Sequence, residues 1–127
     1  MRVHHIGIVV NDLDKSIEIY KKLGYQQKGE QIIDNTQNIK ICFMESSGRY
    51  QLIELIAALN EDAVVGRFNG YHHICYEVDN RESFMEEFSE MKIGKIFTKP
   101  SISVGIDNKD FVFAFLRNGN MVEFLFV

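Results

Sequence analysis

Apolar and polar residues alternate at the start of this chain with the two-residue period of a β-strand. Residues Val3–Val10 are mostly β-branched and apolar, and alternation places Ile6 and Ile8 on an expected core face and His5 and Gly7 on an expected cleft face. The period then lengthens to that of an amphipathic helix. The helix is capped by Asn11 or Asp12, and Gly24 follows it as the predicted stop.

Turn-forming polar residues divide the next segment into three more strands. The predicted strands are Tyr25–Ile33, Ile39–Glu45 and Tyr50–Ile56, separated by turns at Asp34–Asn38 and Ser46–Arg49. The first part of the chain, residues 1–59, therefore reads β-α-β-β-β.

The same order of elements recurs after a polar connection at residues 60–69. A strand is predicted at Tyr71–Val78, a helix at Asn80–Met91 with Gly94 as its stop, and further strands near Lys95–Thr98, Phe111–Leu116 and Met121–Phe126. Residues 70–127 thus form a second βαβββ module. The fold class is α+β, and 127 residues with 46% hydrophobic content suffice for one domain built from two similar modules.

Composition excludes several classes of partner. A net charge of −4 gives no basic surface for nucleic acid or anionic lipid. The sequence has neither an apolar stretch near 18 residues nor a signal-like N-terminus, so we expect a soluble, cytoplasmic protein with no membrane partner. Cys42 and Cys75 lie in apolar strands, where we expect buried thiols rather than a disulfide framework.

The repeat also contains the candidate chemistry. His-His-Ile occurs at residues 4–6 and again at 72–74, and a Glu inside an apolar strand follows each copy: Glu54 lies 49 residues after His5, and Glu123 lies 50 residues after His73. A carboxylate among large apolar neighbours is costly to desolvate unless a cation or proton accompanies it. Two imidazoles and two carboxylates form a ligand set that a divalent transition metal accepts.

With these motifs the chain resembles the vicinal oxygen chelate superfamily, which includes glyoxalase I, methylmalonyl-CoA epimerase, bleomycin resistance proteins and extradiol dioxygenases. The segments that carry the resemblance are residues 4–14, 53–55, 72–79 and 122–125. The resemblance implies an open, curved, mixed β-sheet around a metal-binding cleft, with the helices outside, and a homodimer. It also implies a divalent metal ion (Ni, Co, Zn or Mn) bound by His5, Glu54, His73 and Glu123.

The expected chemistry is proton transfer next to the carbonyl of a small carbonyl or thioester substrate, with Glu123 as both ligand and catalytic base. The leading hypothesis is a methylmalonyl-CoA epimerase-like isomerase. A glyoxalase I-type lactoylglutathione lyase is the alternative, although Val9 and Ala58 stand where bacterial glyoxalases carry glutathione-binding Arg and Asn. The epimerases' second catalytic Glu falls at Thr36, with Asp34 nearby. A third hypothesis is a non-enzymatic, antibiotic-binding dimer of the bleomycin resistance type, which binds without metal.

Overall fold

The computed structural model of the chain describes residues 1–46, 51–67 and 69–127. Most of the predicted turn at Ser46–Arg49, and Tyr50 of the predicted fourth strand, lie outside these residues. The chain forms two compact units. One, here called the N-terminal unit, is His5–His72; the other, the C-terminal unit, comprises Met1–His4 and His73–Val127.

The N-terminal unit contains a mixed sheet with the strand order β2-β3-β4-β1. Its elements are β1 (Arg2–Val9, which belongs to this unit from His5 onward), α1 (Leu13–Lys22), β2 (Tyr25–Asp34), β3 (Ile39–Ser46), β4 (Leu52–Ala58) and a 3₁₀ turn at Val64–Arg67. Neighbouring strands β2, β3 and β4 pair antiparallel, as hairpins require. β1 pairs parallel with β4 because the helix and the hairpins carry the chain back between them.

Helix α1 begins and ends where the sequence predicts. The Asp12 side chain accepts a hydrogen bond from the Lys15 backbone N–H at 3.0 Å, which satisfies one of the open donors of the first turn. Gly24 follows the helix with φ at +100°, a conformation that costs glycine little. The helix packs on one face of the sheet, and the buried core between them comprises Leu13, Ile17, Cys42, Met44, Ile53, Leu55 and Ala57.

The C-terminal unit repeats this arrangement, with the strand order β5-β9-β8-β6 and a short β7 that also pairs with β8. Its elements are β5 (Gly70–Val78, which belongs to this unit from His73 onward), α2 (Arg81–Met91), β6 (Gly94–Ile96), β7 (Ser101–Ser103), β8 (Lys109–Leu116) and β9 (Met121–Phe126). β5 and β9 pair parallel, whereas β8 pairs antiparallel with β9 and β6. The core under α2 is aromatic: Val78, Phe84, Phe88, Val112, Ala114, Val122, Phe124 and Phe126.

The α+β class and the repeated order of strands and helix are confirmed. Two local predictions are wrong, and two short elements are missed. Helix α2 ends at Met91, and its C-cap Lys92 takes the left-handed conformation with φ at +55°; Gly94 instead starts β6. Strand β7 and the 3₁₀ turn were not predicted. Ile6, expected in the core, is 37% exposed, whereas Ile8 packs against the core of the N-terminal unit, as predicted.

Both cysteines are buried thiols, as predicted. Burial raises the pKa of the Cys42 thiol above its usual value, and the Lys21 ammonium only partly opposes this shift, so the group is neutral at physiological pH. Neither α-helix in the ranges that the structure describes is long and apolar enough to cross a membrane.

Candidate metal-binding and catalytic residues

In the N-terminal unit, His5 and Glu54 form a buried imidazole–carboxylate pair. Glu54 lies on β4 directly opposite Gly7 of β1 in the parallel ladder. His5, two residues before Gly7, therefore projects to the same face of the sheet. Only 1% of His5 and 8% of Glu54 is exposed. Their Nε2 and Oε1 atoms are 3.6 Å apart, which is ion-pair distance rather than a good hydrogen bond.

The C-terminal unit contains the equivalent pair. Glu123 of β9 lies opposite Cys75 of β5, and His73 is again two residues before its opposite position. His73 is 1% exposed and Glu123 is 5% exposed. The His73 Nε2 atom is 2.9 Å from the Glu123 Oε2 atom.

The position of each carboxylate within its sheet excludes a solvated edge. β4 lies between β3 and β1, and β9 lies between β8 and β5. Glu54 and Glu123 are therefore flanked by strands on both sides. A buried carboxylate requires a cation or hydrogen-bond donors around it, and in both units a nearby imidazole supplies part of that requirement.

A phenylalanine contacts the imidazole of each pair, and the sequence analysis did not predict these two contacts. Phe43 of β3 is the register partner of Glu54, and its ring meets the His5 ring edge to face at 5.4 Å. Phe113 of β8 is the partner of Glu123, and its ring meets that of His73 edge to face at 5.3 Å. The sequence does show a Phe on the third main strand of each module. Which residue of the Glu-bearing strand lies opposite that Phe depends on the turn between the two strands.

The donor chemistry of each pair fits a divalent metal. Each unit offers one imidazole nitrogen and at least one carboxylate oxygen in a buried, aromatic-lined setting, and ions such as Zn, Ni, Co and Mn accept nitrogen and oxygen ligands of this kind. Each pair consists of two of the four residues that the sequence analysis names as candidate ligands, His5 and Glu54 in one unit and His73 and Glu123 in the other.

The other carboxylates considered as bases are engaged elsewhere. Asp34 accepts hydrogen bonds from the backbone N–H groups of Thr36 and Gln37, at 3.0 and 3.1 Å, and from Gln37 Nε2 at 2.8 Å. Glu77 forms an ion pair with Arg2 at 2.9 Å. Thr36, which the sequence analysis assigns to the position of a second catalytic Glu, is exposed.

The fold and the two imidazole–carboxylate pairs agree with the protein family that the sequence resembles. A sequence model described as the Glyoxalase/Bleomycin resistance protein/Dioxygenase superfamily matches residues 4–122, and the chain belongs to that family. The family assignment made from the sequence is thereby confirmed.

Within that class, the chain is similar to methylmalonyl-CoA epimerases. It is 26% identical over 118 residues to the human mitochondrial methylmalonyl-CoA epimerase; the match spans 88% of this chain and 65% of the human protein, less than two thirds of its length. A hypothetical protein from Bacillus halodurans superposes with a TM-score of 0.86 at 24% identity, over 99% of this chain and 94% of that one.

A variant of the Streptomyces coelicolor methylmalonyl-CoA epimerase in complex with 2-nitronate-propionyl-CoA superposes with a TM-score of 0.81 at 20% identity. The match covers 99% of this chain and 96% of that one. At identities below 25%, these two structural matches show the fold alone.

Proposed function

We propose that His5, Glu54, His73 and Glu123 together bind one divalent ion, Ni, Co, Zn or Mn, and that the protein catalyses metal-dependent proton transfer next to a carbonyl. The observation that carries this proposal is the repetition of one buried imidazole–carboxylate pair at equivalent ladder positions in both units. A single pair of this kind requires no metal, because the imidazole and the carboxylate stabilise each other as an ion pair. Two copies, each with a phenylalanine edge-on to the imidazole, favour a shared chemical role.

When bound, such an ion supplies positive charge beside the substrate's carbonyl oxygen, which stabilises the negative charge that develops as the neighbouring C–H bond breaks. Glu123 accepts that proton on a carboxylate oxygen and returns a proton to the same carbon. A substrate bound beside Glu123 would bring the reacting carbon next to this oxygen, and such proximity accounts for much of the rate in reactions of this kind. Phe113, beside Glu123 in the ladder, excludes water from the reaction.

Only one strong proton acceptor is proposed. Thr36 provides no carboxylate where the epimerases have their second Glu, and Asp34 and Glu77 are held by their own partners. A single acceptor returns the proton to the face from which it was taken. We therefore expect exchange of the α-hydrogen with solvent to be faster than inversion of the α-carbon.

Glu45 offers a test of that expectation. By its alternation with Phe43 on β3, Glu45 lies on the face that carries Glu54; it is half-buried, and its Oε1 accepts from Gln26 Nε2 at 3.4 Å. With Glu123 as the single acceptor, Glu45→Gln should leave the rates of exchange and inversion unchanged, whereas a selective loss of inversion would identify Glu45 as a second acceptor.

The substrate class is proposed from the relatives. The human relative is named for methylmalonyl-CoA, and the Streptomyces relative was solved with 2-nitronate-propionyl-CoA. We therefore favour an acyl thioester substrate and an epimerase-like isomerase.

The experiment is α-hydrogen exchange in deuterated solvent. The protein, reconstituted separately with Ni, Co, Zn or Mn, is incubated with a panel of 2-methyl acyl-CoA thioesters, and the α-proton signal is followed by NMR. The proposal predicts loss of that signal with at least one metal and none after chelator treatment. Absence of exchange across the whole panel with every metal would contradict the proposed reaction.

A further inference from the structure

Three phenylalanine rings form a continuous strip on the C-terminal unit, and the strip starts at the His73–Glu123 pair. The Phe113 ring contacts the His73 ring, the Phe97 ring stacks on Phe113 with centroids 6.3 Å apart, and the Phe115 ring stacks on Phe97 at 4.5 Å. Phe113 and Phe115 alternate along β8, so both project to the face that carries Glu123. We call Phe97, Phe113 and Phe115 the aromatic strip.

The outer part of the aromatic strip is solvent-accessible. Phe113 is 9% exposed, whereas Phe97 and Phe115 are 48% and 49% exposed. A large apolar side chain left half in water forgoes much of the stabilisation that burial gives. Contiguous exposed apolar surface of this kind commonly marks a binding site.

The backbone holds the aromatic strip in place. The Phe97 N–H donates to the Phe113 carbonyl oxygen at 3.1 Å, and the Phe113 N–H donates to Thr98 Oγ1 at 2.8 Å. At Gly94 an added Cβ would lie 2.5 Å from the Phe115 carbonyl oxygen, so glycine allows the close approach of β6 to β8. A rigid aromatic surface of this kind binds with little loss of conformational entropy.

The fold does not require aromatic residues at the two exposed positions, because the N-terminal unit has charged residues there. Phe97 neighbours Phe113 in the ladder just as Lys28 neighbours Phe43. Phe115 is two residues beyond Phe113, and Glu45 is two residues beyond Phe43. The two modules therefore differ at these positions while they agree on the imidazole, the carboxylate and the adjoining phenylalanine.

We infer that the aromatic strip binds an aryl group on the substrate's acyl chain. This inference rests on the proposed function, because the strip is continuous with the residues proposed to act on the carbonyl. A flat ring stacks on phenylalanine faces more favourably than a methyl group does. The substrate class is then an aryl-bearing acyl thioester rather than a short aliphatic one.

The experiment uses two small thioesters without a nucleotide, S-phenylacetyl-N-acetylcysteamine and S-acetyl-N-acetylcysteamine. Binding to the full chain, without added metal, is followed by NMR of ring-¹³C-labelled phenylalanine. Among the ten phenylalanines, the variants Phe97→Leu and Phe115→Leu assign the signals of those two rings. The phenylacetyl probe should shift both signals and bind roughly tenfold more tightly than the acetyl probe.

Leucine keeps most of the apolar volume and removes the ring, so the double variant Phe97→Leu, Phe115→Leu should remain folded and reduce the affinity ratio toward one. Thermal unfolding checks the fold of that variant. The matched control is Lys28→Leu, at the position equivalent to Phe97 in the other module, which should leave the ratio unchanged.

Three results would overturn the inference: no shift of either ring signal at millimolar probe, equal affinities for the two probes, or an unchanged ratio in the double variant. If light scattering shows that the double variant changes the mass of the assembly while the ratio is unchanged, the strip is covered by a second copy instead. The readout needs neither metal nor turnover. Failure of the exchange experiment with an intact affinity ratio would therefore remove the proposed function and leave the aryl site.

Discussion

At the scale of single residues, the two histidines of each His-His pair differ in burial. His5 and His73 are each 1% exposed, whereas the preceding residues, His4 and His72, are half-buried. Alternation sends the two members of each His-His pair to opposite faces of the sheet. The buried member is the one that shares a face with Glu54 or Glu123.

The first prediction concerns Glu123. Glu123→Gln keeps an oxygen donor for the metal and removes the proton acceptor. Metal content should fall modestly, while α-hydrogen exchange, measured by NMR in deuterated solvent, should fall by several orders of magnitude. Glu77→Gln is the control, since the Arg2 ion pair already occupies that carboxylate, and its exchange rate should stay near that of the wild type. An unchanged rate in Glu123→Gln would place the base elsewhere.

A second prediction concerns glutathione. Val9 is buried and Ala58 is half-buried, and neither side chain can hydrogen-bond a polar substrate. A pocket that lacks such partners discriminates strongly against a substrate that needs them. The hemithioacetal of methylglyoxal and glutathione should therefore be turned over poorly or not at all, as followed by lactoylglutathione absorbance. Robust turnover by the nickel or zinc form would favour the lyase alternative.

The four candidate ligands could be named from the sequence because the repeat aligns them. Phe43 and Phe113 could not, since their place opposite the glutamates depends on strand register, which the turns determine. The hydrogen bonds that the Asp34 carboxylate accepts could not be predicted from the sequence either. They depend on the conformation of the turn that follows β2, where Thr36 and Gln37 turn their N–H groups back to the carboxylate.

At the scale of elements, helix starts were predictable because Asp12 and Asn80 each cap the third residue beyond them. The end of α2 was not. Lys92 takes the left-handed position at φ +55° that glycine usually fills, and Gly94 is needed in β6 for a different reason. The residue type alone does not distinguish a helix stop from a close approach between strands.

A third prediction tests that reading of Gly94. In Gly94→Ala the new Cβ would meet the Phe115 carbonyl oxygen at 2.5 Å and the Leu116 Cα at 3.0 Å. Backbone atoms give way only by shifting β6 from β8, so the free energy of unfolding should fall by roughly 1–3 kcal/mol in urea denaturation. Lys95→Ala, at the neighbouring exposed position, should change it by less than about 0.5 kcal/mol. Equal free energies of unfolding in the two variants would show that β6 does not approach β8 closely at Gly94.

At the scale of the whole molecule, duplication is the feature that sequence and structure share most closely. Both units contain a parallel pair formed by their first and last strands, with the antiparallel strands beyond it and one helix. Among the described residues, each unit contains one buried imidazole–carboxylate pair. The proposed four-ligand site therefore requires both modules.

A fourth prediction is a homodimer. Outside the aromatic strip, apolar side chains remain exposed on α1, at its C-cap and on β2: Ile19 is 53% exposed, Leu23 69% and Ile33 59%. Apolar surface beyond what the helix covers favours association of two copies. Light scattering at micromolar concentration should give twice the chain mass of 14.7 kDa. A monomer across that range would contradict this prediction.

The central claim, one divalent ion bound by residues of both modules, is tested most directly by metal content. Protein purified without a histidine tag is reconstituted with Ni, Co, Zn or Mn and dialysed, and its bound metal is then measured by inductively coupled plasma mass spectrometry. His5→Ala, His73→Ala should lose nearly all metal, because the remaining carboxylates cannot complete the ligand shell. The matched double variant His4→Ala, His72→Ala removes the same number of imidazoles one residue away and should retain it. Stoichiometric metal in the first variant would contradict the claim.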